Sequence, residues 1–99
     1  MLYALMGEDK PDSLSLRLQV RPQHLARVQA LAEEGRVVVA GPFPAIDAPD
    51  PGPAGFSGSL IVAEFASLED ARRWLSDDPY VIHGVFARTE VKPFKQVLP

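Results

Sequence analysis

Short apolar runs bounded by glycine or proline alternate along the 99-residue chain with two stretches rich in helix formers. A Ser67–Leu68–Glu69–Asp70 capping box opens the second helical stretch, and a β-branched run, Val37–Val38–Val39–Ala40, lies between the first and the long loop that follows. These observations give the order β, α, β, β, α, β. They predict an α+β fold of ferredoxin-like type, with four antiparallel strands and helices on one face of the sheet.

Leu2–Tyr3–Ala4–Leu5–Met6 reads as a buried first strand, ended by Gly7 and a polar stretch through Asp12. Ser13 to Glu34 is dominated by leucine, arginine, glutamine and alanine, and Pro22 interrupts it. Proline removes a backbone donor and disfavours a helical residue before it, so a short helix is expected to end near Arg21 and a second to start at Pro22. On the second, Leu25, Val28, Leu31 and Ala32 share one face, with Gln23, Arg27, Glu33 and Glu34 opposite. Gly35 supplies its stop. Val37–Ala40 is a strand. Residues 41–58 then form a long loop, because five of the ten prolines and four of the seven glycines fall between Gly41 and Ser59. Strand character resumes over Ser59–Ala66. The helix after Ser67 turns Leu68, Ala71, Trp74 and Leu75 to the core and closes at Asp78–Pro79, and Val85–Val91 supplies the last strand. The chain is a single domain spanning residues 1–99, since no part is large enough to fold alone.

Helices cover only one face of such a sheet, so the other face of a monomer should be polar. Val37–Ala40 is apolar at every position, and Leu60–Val62 is apolar on both sides. A homodimer packed sheet face to sheet face is the expected cover; the alternative is a monomer whose long loop folds across.

Composition narrows the function. Ten basic against thirteen acidic side chains, a net charge of −3, leave no basic surplus to displace counterions from nucleic-acid phosphates. With no cysteine, disulfides, thiolate nucleophiles and cysteine-ligated metals are excluded, and the two histidines have no metal-ligand spacing. No apolar run approaches the roughly twenty residues of a membrane helix, and no basic n-region or cleavage site opens the chain. The expectation is a cytoplasmic protein without nucleic-acid, membrane or cofactor partners.

His24 is the first candidate for chemistry. It lies at the edge of the apolar helix face, and an imidazole titrates near neutrality, which suits proton transfer. The plainer reading is a core-edge histidine bonded to a backbone carbonyl. Asp78 is the second: on local grounds it caps the turn Pro79–Tyr80–Val81, and as a partner of His24 it would fix the ring's tautomer. Ser57 and Ser59, at the loop exit, either present hydroxyls to a ligand or are polar filler. Arg17 and Arg21, one helical turn apart, either hold an anion or form a solvated face. His83 belongs to a turn, while Trp74 and Phe86 read as core.

Arg21–Pro22–Gln23–His24–Leu25, Gly41–Pro42–Phe43, Asp77–Asp78–Pro79–Tyr80 and Val91–Lys92–Pro93–Phe94 together resemble the YciI-like (YCII-related) family over nearly the whole chain. The resemblance implies a dimeric α+β barrel and a pocket where the helix histidine meets the aspartate of the Asp–Pro step, here His24 and Asp78. Phe94 stands where the family often has tryptophan. A dehydrochlorinase role on hydroxylated aromatics is associated with part of the family. The resulting expectation is a small-molecule enzyme in which a His24–Asp78 pair performs acid–base chemistry without metal or cofactor. Elimination, isomerisation or hydrolysis of a small oxygenated substrate, aromatic rings included, would each fit. Ser57 or Ser59 and Arg17 or Arg21 would bind that substrate. The alternative is a non-catalytic metabolite-binding or protein-interaction module.

Overall fold

A computed structural model describes residues 1–99. Strand β1 (Leu2–Asp9) leads to helix α1 (Leu14–Glu33), strands β2 (Val37–Pro44) and β3 (Phe56–Glu64), helix α2 (Leu68–Ser76), the single turn α3 (Pro79–Ile82) and strand β4 (Phe86–Phe94). The four strands form one antiparallel sheet in the order β2-β3-β1-β4. This is the ferredoxin-like arrangement that the element order predicts. Alternation decides the faces: Tyr3 and Leu5 of β1 pair with Ala63 and Ile61 of β3, and all four point under the helices. Val20, Val28 and Leu31 of α1, Phe65 after β3, Ala71 and Leu75 of α2, and Tyr80, Val85 and Phe86 complete the core. No helix is long and apolar enough to cross a membrane.

The break expected at Pro22 does not occur, and α1 runs unbroken through it. An interior proline costs about 3 kcal/mol relative to alanine. Here Pro22 is exposed, as is Leu18, whose carbonyl loses its partner four residues on, so water can serve that oxygen. Burial of Arg17 and Val20 before the proline and of Val28 and Leu31 after it holds the two halves to one core. Tertiary packing overrides the local signal.

The loop expected over 41–58 is shorter at both ends. β2 continues through Gly41, Pro42 and Phe43, paired with Leu60, Ser59 and Gly58, and β3 begins at Phe56. Because β2 is an outer strand, proline is tolerated in it. The remaining connection is drawn together where the Ala45 amide donates to the Gly55 carbonyl at 2.9 Å, with Gly55 at φ +71°. Gly58 has a steric role: a Cβ there would collide with the Gly7 carbonyl oxygen across the β1–β3 ladder.

The helix-free face carries Leu2, Ala4 and Met6 of β1, Leu60 and Val62 of β3, and Val39 and Phe43 of β2. Val39, Phe43 and Phe94 are exposed there. The part formed by β2, β3 and β1 is mostly apolar, as the sequence suggests, while Arg88, Glu90 and Lys92 of β4 bring charge to the same face.

Candidate functional site

Asp77 ends α2, and Asp78 precedes proline, which drives it into the extended region (φ −70°, ψ 138°). That conformation is the one an N-cap requires, and Pro79 supplies a ready-made first helical residue. Asp78 therefore caps α3, its Oδ2 accepting from the Tyr80 amide at 3.0 Å. The cap also aims the carboxylate across the molecule at α1. His24 Nδ1 lies 2.8 Å from Oδ2 and 3.0 Å from Oδ1, and Arg27 Nη1 donates to Oδ1 at 3.1 Å. Both local readings of Asp78, turn cap and histidine partner, hold at once.

A carboxylate can only accept, so the shared proton sits on Nδ1, and in the neutral ring it is Nε2 that carries the free lone pair. Asp78 is fully buried, whereas the His24 side chain keeps 14% of its surface accessible. Its ring stacks on Tyr80 with centroids 4.0 Å apart and planes 15° apart. Arg27 is fixed in turn by a bond to the Trp74 carbonyl at 2.9 Å and by its position over the Trp74 ring. The imidazole is thus oriented by a charge-balanced carboxylate and an aromatic plate.

His24 faces a cleft of about 160 Å³ between α1 and the β2–β3 edge, with Arg17, Arg21, Ser59 and Tyr80 at its polar end and Leu25, Val28 and Ile61 along its apolar wall. Arg17 corrects the solvated-face reading. It is 3% exposed, grips Asp9 through Nε at 2.7 Å and Nη2 at 2.8 Å, and donates from Nη2 to Ser59 Oγ at 2.9 Å. Arg21 is exposed and makes neither ion pair nor hydrogen bond. Ser59 is therefore part of the cleft's frame as well as its lining. Ser57 does not join this group: it is exposed, bonds to the Phe43 carbonyl at 3.5 Å, and lines a separate depression with Met6, Glu8, Phe43 and Arg88. Elsewhere, no three His, Asp or Glu side chains converge to hold a metal. Local pattern alone does not reveal Arg27, Asp9 and Tyr80 as members of the site.

Burial pushes the Tyr80 phenol above its ordinary value of 10.0, reinforced by Asp78 and opposed by the charges of Arg17 and Arg21. Tyr80 thus remains a neutral hydrogen-bonding group at any physiological pH. A folded-state value above the unfolded one means that the native chain holds this proton more tightly. Its contribution to stability is intact below the unfolded value and is lost as pH rises through about 10 toward the folded value. Tyr80→Phe, with no proton to lose, is expected to flatten the alkaline arm of a denaturation-versus-pH profile. An unchanged alkaline arm would contradict it.

The chain is similar to known proteins over nearly its whole length. The profile of the YCII-related domain matches residues 1–95. Protein YciI of Escherichia coli is 58% identical over 97 residues, covering 98% of this chain and 99% of the relative. An uncharacterized protein of Haemophilus influenzae is 50% identical over the same shares of both chains. Among solved structures, the 5-chloro-2-hydroxyhydroquinone dehydrochlorinase TftG of Burkholderia phenoliruptrix, in complex with 2,5-dihydroxybenzoquinone, superposes with a TM-score of 0.83. It shares 27% identity, with 96% of this chain and 94% of that one covered.

Proposed function

The chain belongs to the YCII-related domain family, and from that premise we propose that it is a small-molecule enzyme using His24 and Asp78 as an acid–base pair. The observation that carries this reading is the His24–Asp78 hydrogen bond, which leaves Nε2 free at a cleft. His24 Nε2 takes a proton from a hydroxylated, ring-sized substrate, and buried Asp78 stabilises the imidazolium that forms. In an elimination, the electron pair left on the substrate expels a leaving group such as halide. In an isomerisation, the imidazolium returns the proton to a different atom; in a hydrolysis, Nε2 activates water. The likeness to TftG, a dehydrochlorinase, favours elimination on hydroxylated rings. Incubation with chlorinated hydroxyhydroquinones, halogenated phenols and ring hydroxy acids, followed by halide and product analysis, tests it. Turnover that disappears in His24→Ala is the expected result, and turnover that survives this substitution would refute the assignment.

A second reading, a metabolite-binding module with a purely structural His24–Asp78 contact, draws on the complete burial of Asp78 and its role as the α3 cap. Thermal stability of the His24 variant separates the two.

We also infer that the subunit pairs through its open sheet face, supported by the apolar Leu2, Ala4, Met6, Leu60 and Val62 and the exposed Val39 and Phe43. Sedimentation at micromolar concentration should give about twice 10.8 kDa, and a species of 10.8 kDa alone would exclude pairing.

A further inference from the structure

The charges around the cleft do not cancel. Arg17 is neutralised by Asp9, both side chains being almost wholly buried, and it is held further by the Ser59 hydroxyl and the Tyr80 ring, 4.7 Å from its guanidinium carbon. Arg27 is neutralised by Asp78. Arg21 lines the cleft with no counterion, and no aspartate or glutamate lines it at all. One full positive charge therefore lines a site whose other walls include Leu25, Val28 and Ile61, which offer only apolar contact. Arg21 and His24 are three residues apart on α1, which sets their Cβ atoms about 5–6 Å from each other, the span of a single ring.

Size imposes the second limit. A cleft of about 160 Å³ lies below the range of roughly 300–1,000 Å³ typical of drug-sized ligands, and close to the ~150 Å³ that accommodates benzene in an engineered apolar cavity.

We propose that the cleft selects a small monocyclic anion, with Arg21 holding its charged oxygen, carboxylate, phenolate or enolate, while the ring lies against the apolar wall before His24 Nε2. Arg21 is then a specificity-determining residue, and Arg17 is part of the frame. This rests on the cleft being the substrate site, as the proposed function requires, and adds the charge and size of what enters. A guanidinium donates two parallel N–H groups to an anionic oxygen pair, and an uncharged amide of the same shape cannot match that interaction.

Benzoate and benzamide, matched in shape and differing in charge, are the probes, with 2-naphthoate as the bicyclic control. Binding is followed by calorimetry and by shifts of the His24 ring signals. Wild type should bind benzoate at least about tenfold more tightly than benzamide. Arg21→Gln should abolish that preference while leaving the melting temperature unchanged, because Arg21 is exposed and unpaired. Arg21→Lys should restore part of it, and 2-naphthoate should bind at least about tenfold more weakly than benzoate. Equal affinity for benzoate and benzamide, a preference that survives in Arg21→Gln, or no binding by either probe overturns the proposal; tight naphthoate binding overturns its size limit. The readout is affinity, so inactivity toward the hydroxylated-ring panel would refute the acid–base assignment while leaving the anion preference standing.

Discussion

Asp78→Ala is expected to destabilise the fold by about 3 kcal/mol or more, a large share of the 5–15 kcal/mol typical of a small domain. The carboxylate is fully buried and accepts from His24, Arg27 and the Tyr80 amide. Removing it leaves the Arg27 charge without its partner, the α3 turn without its cap, and an imidazole proton facing apolar surroundings. For a chain of this length, about 3 kcal/mol corresponds to a fall of roughly 12–24 °C in Tm. Asp78→Asn is the informative companion, because it preserves shape. Its amide oxygen still serves Arg27 or Tyr80, but its NH2 can donate to His24 Nδ1 and shift the ring proton to Nε2. The nitrogen proposed as the base is then occupied. Nitrogen chemical shifts of the imidazole should show this change of tautomer, with most of the stability retained; an unchanged tautomer would remove the orienting role assigned to Asp78.

His24→Ala should give the converse profile. General acid–base catalysis by a positioned side chain is worth about 10²–10⁴-fold, and turnover should fall by that factor. Stability should fall less than in Asp78→Ala. The variant loses one hydrogen bond and the stacking on Tyr80, together about 1–2 kcal/mol, but Asp78 keeps Arg27 and the Tyr80 amide and is never left as an uncompensated charge. A drop in melting temperature as large as that of Asp78→Ala, with ligand binding intact, would instead support the binding-module reading. Arg27 makes this test discriminating: without it, His24 would be the sole side-chain partner of a buried carboxylate, and both readings would predict collapse.

Arg27 is also the clearest case of what a linear reading misses. The helical wheel places it with Gln23, Glu33 and Glu34 on the polar face, and its neighbour is the α2–α3 junction, which no periodicity in α1 encodes. Arg17 behaves similarly. Its burial depends on Asp9 at the end of β1 and on Ser59 of β3, so only the closed sheet turns a surface-looking arginine into an interior ion pair. His24 and Asp78 stand out because each sits in a short local grammar, a helix turn after Pro22 and an Asp–Pro step. Their meeting across 54 positions comes through family resemblance and not through spacing. The elements of the sheet are legible for the reason that strands and capped helices usually are: alternation, a capping box and glycine stops all act locally. Some strand ends run further than read, β1 past Gly7 to Asp9 and β3 back to Phe56, and the larger departures concern proline. Pro22 fails to break α1 and Pro42 fails to end β2, in each case because position in the folded molecule decides what a missing N–H costs.

Proline at the margins of the sheet has a further consequence for how these molecules meet one another. The two outermost strands, β2 and β4, contain Pro42 and Pro44 on one side and Pro93 on the other. Neither border offers an uninterrupted row of donors to a neighbouring backbone, so lateral growth into a continuous intermolecular ribbon, the first step toward fibrils, is obstructed at both ends. The pairing proposed above through the open sheet face would use neither border, so it would leave this obstruction in place.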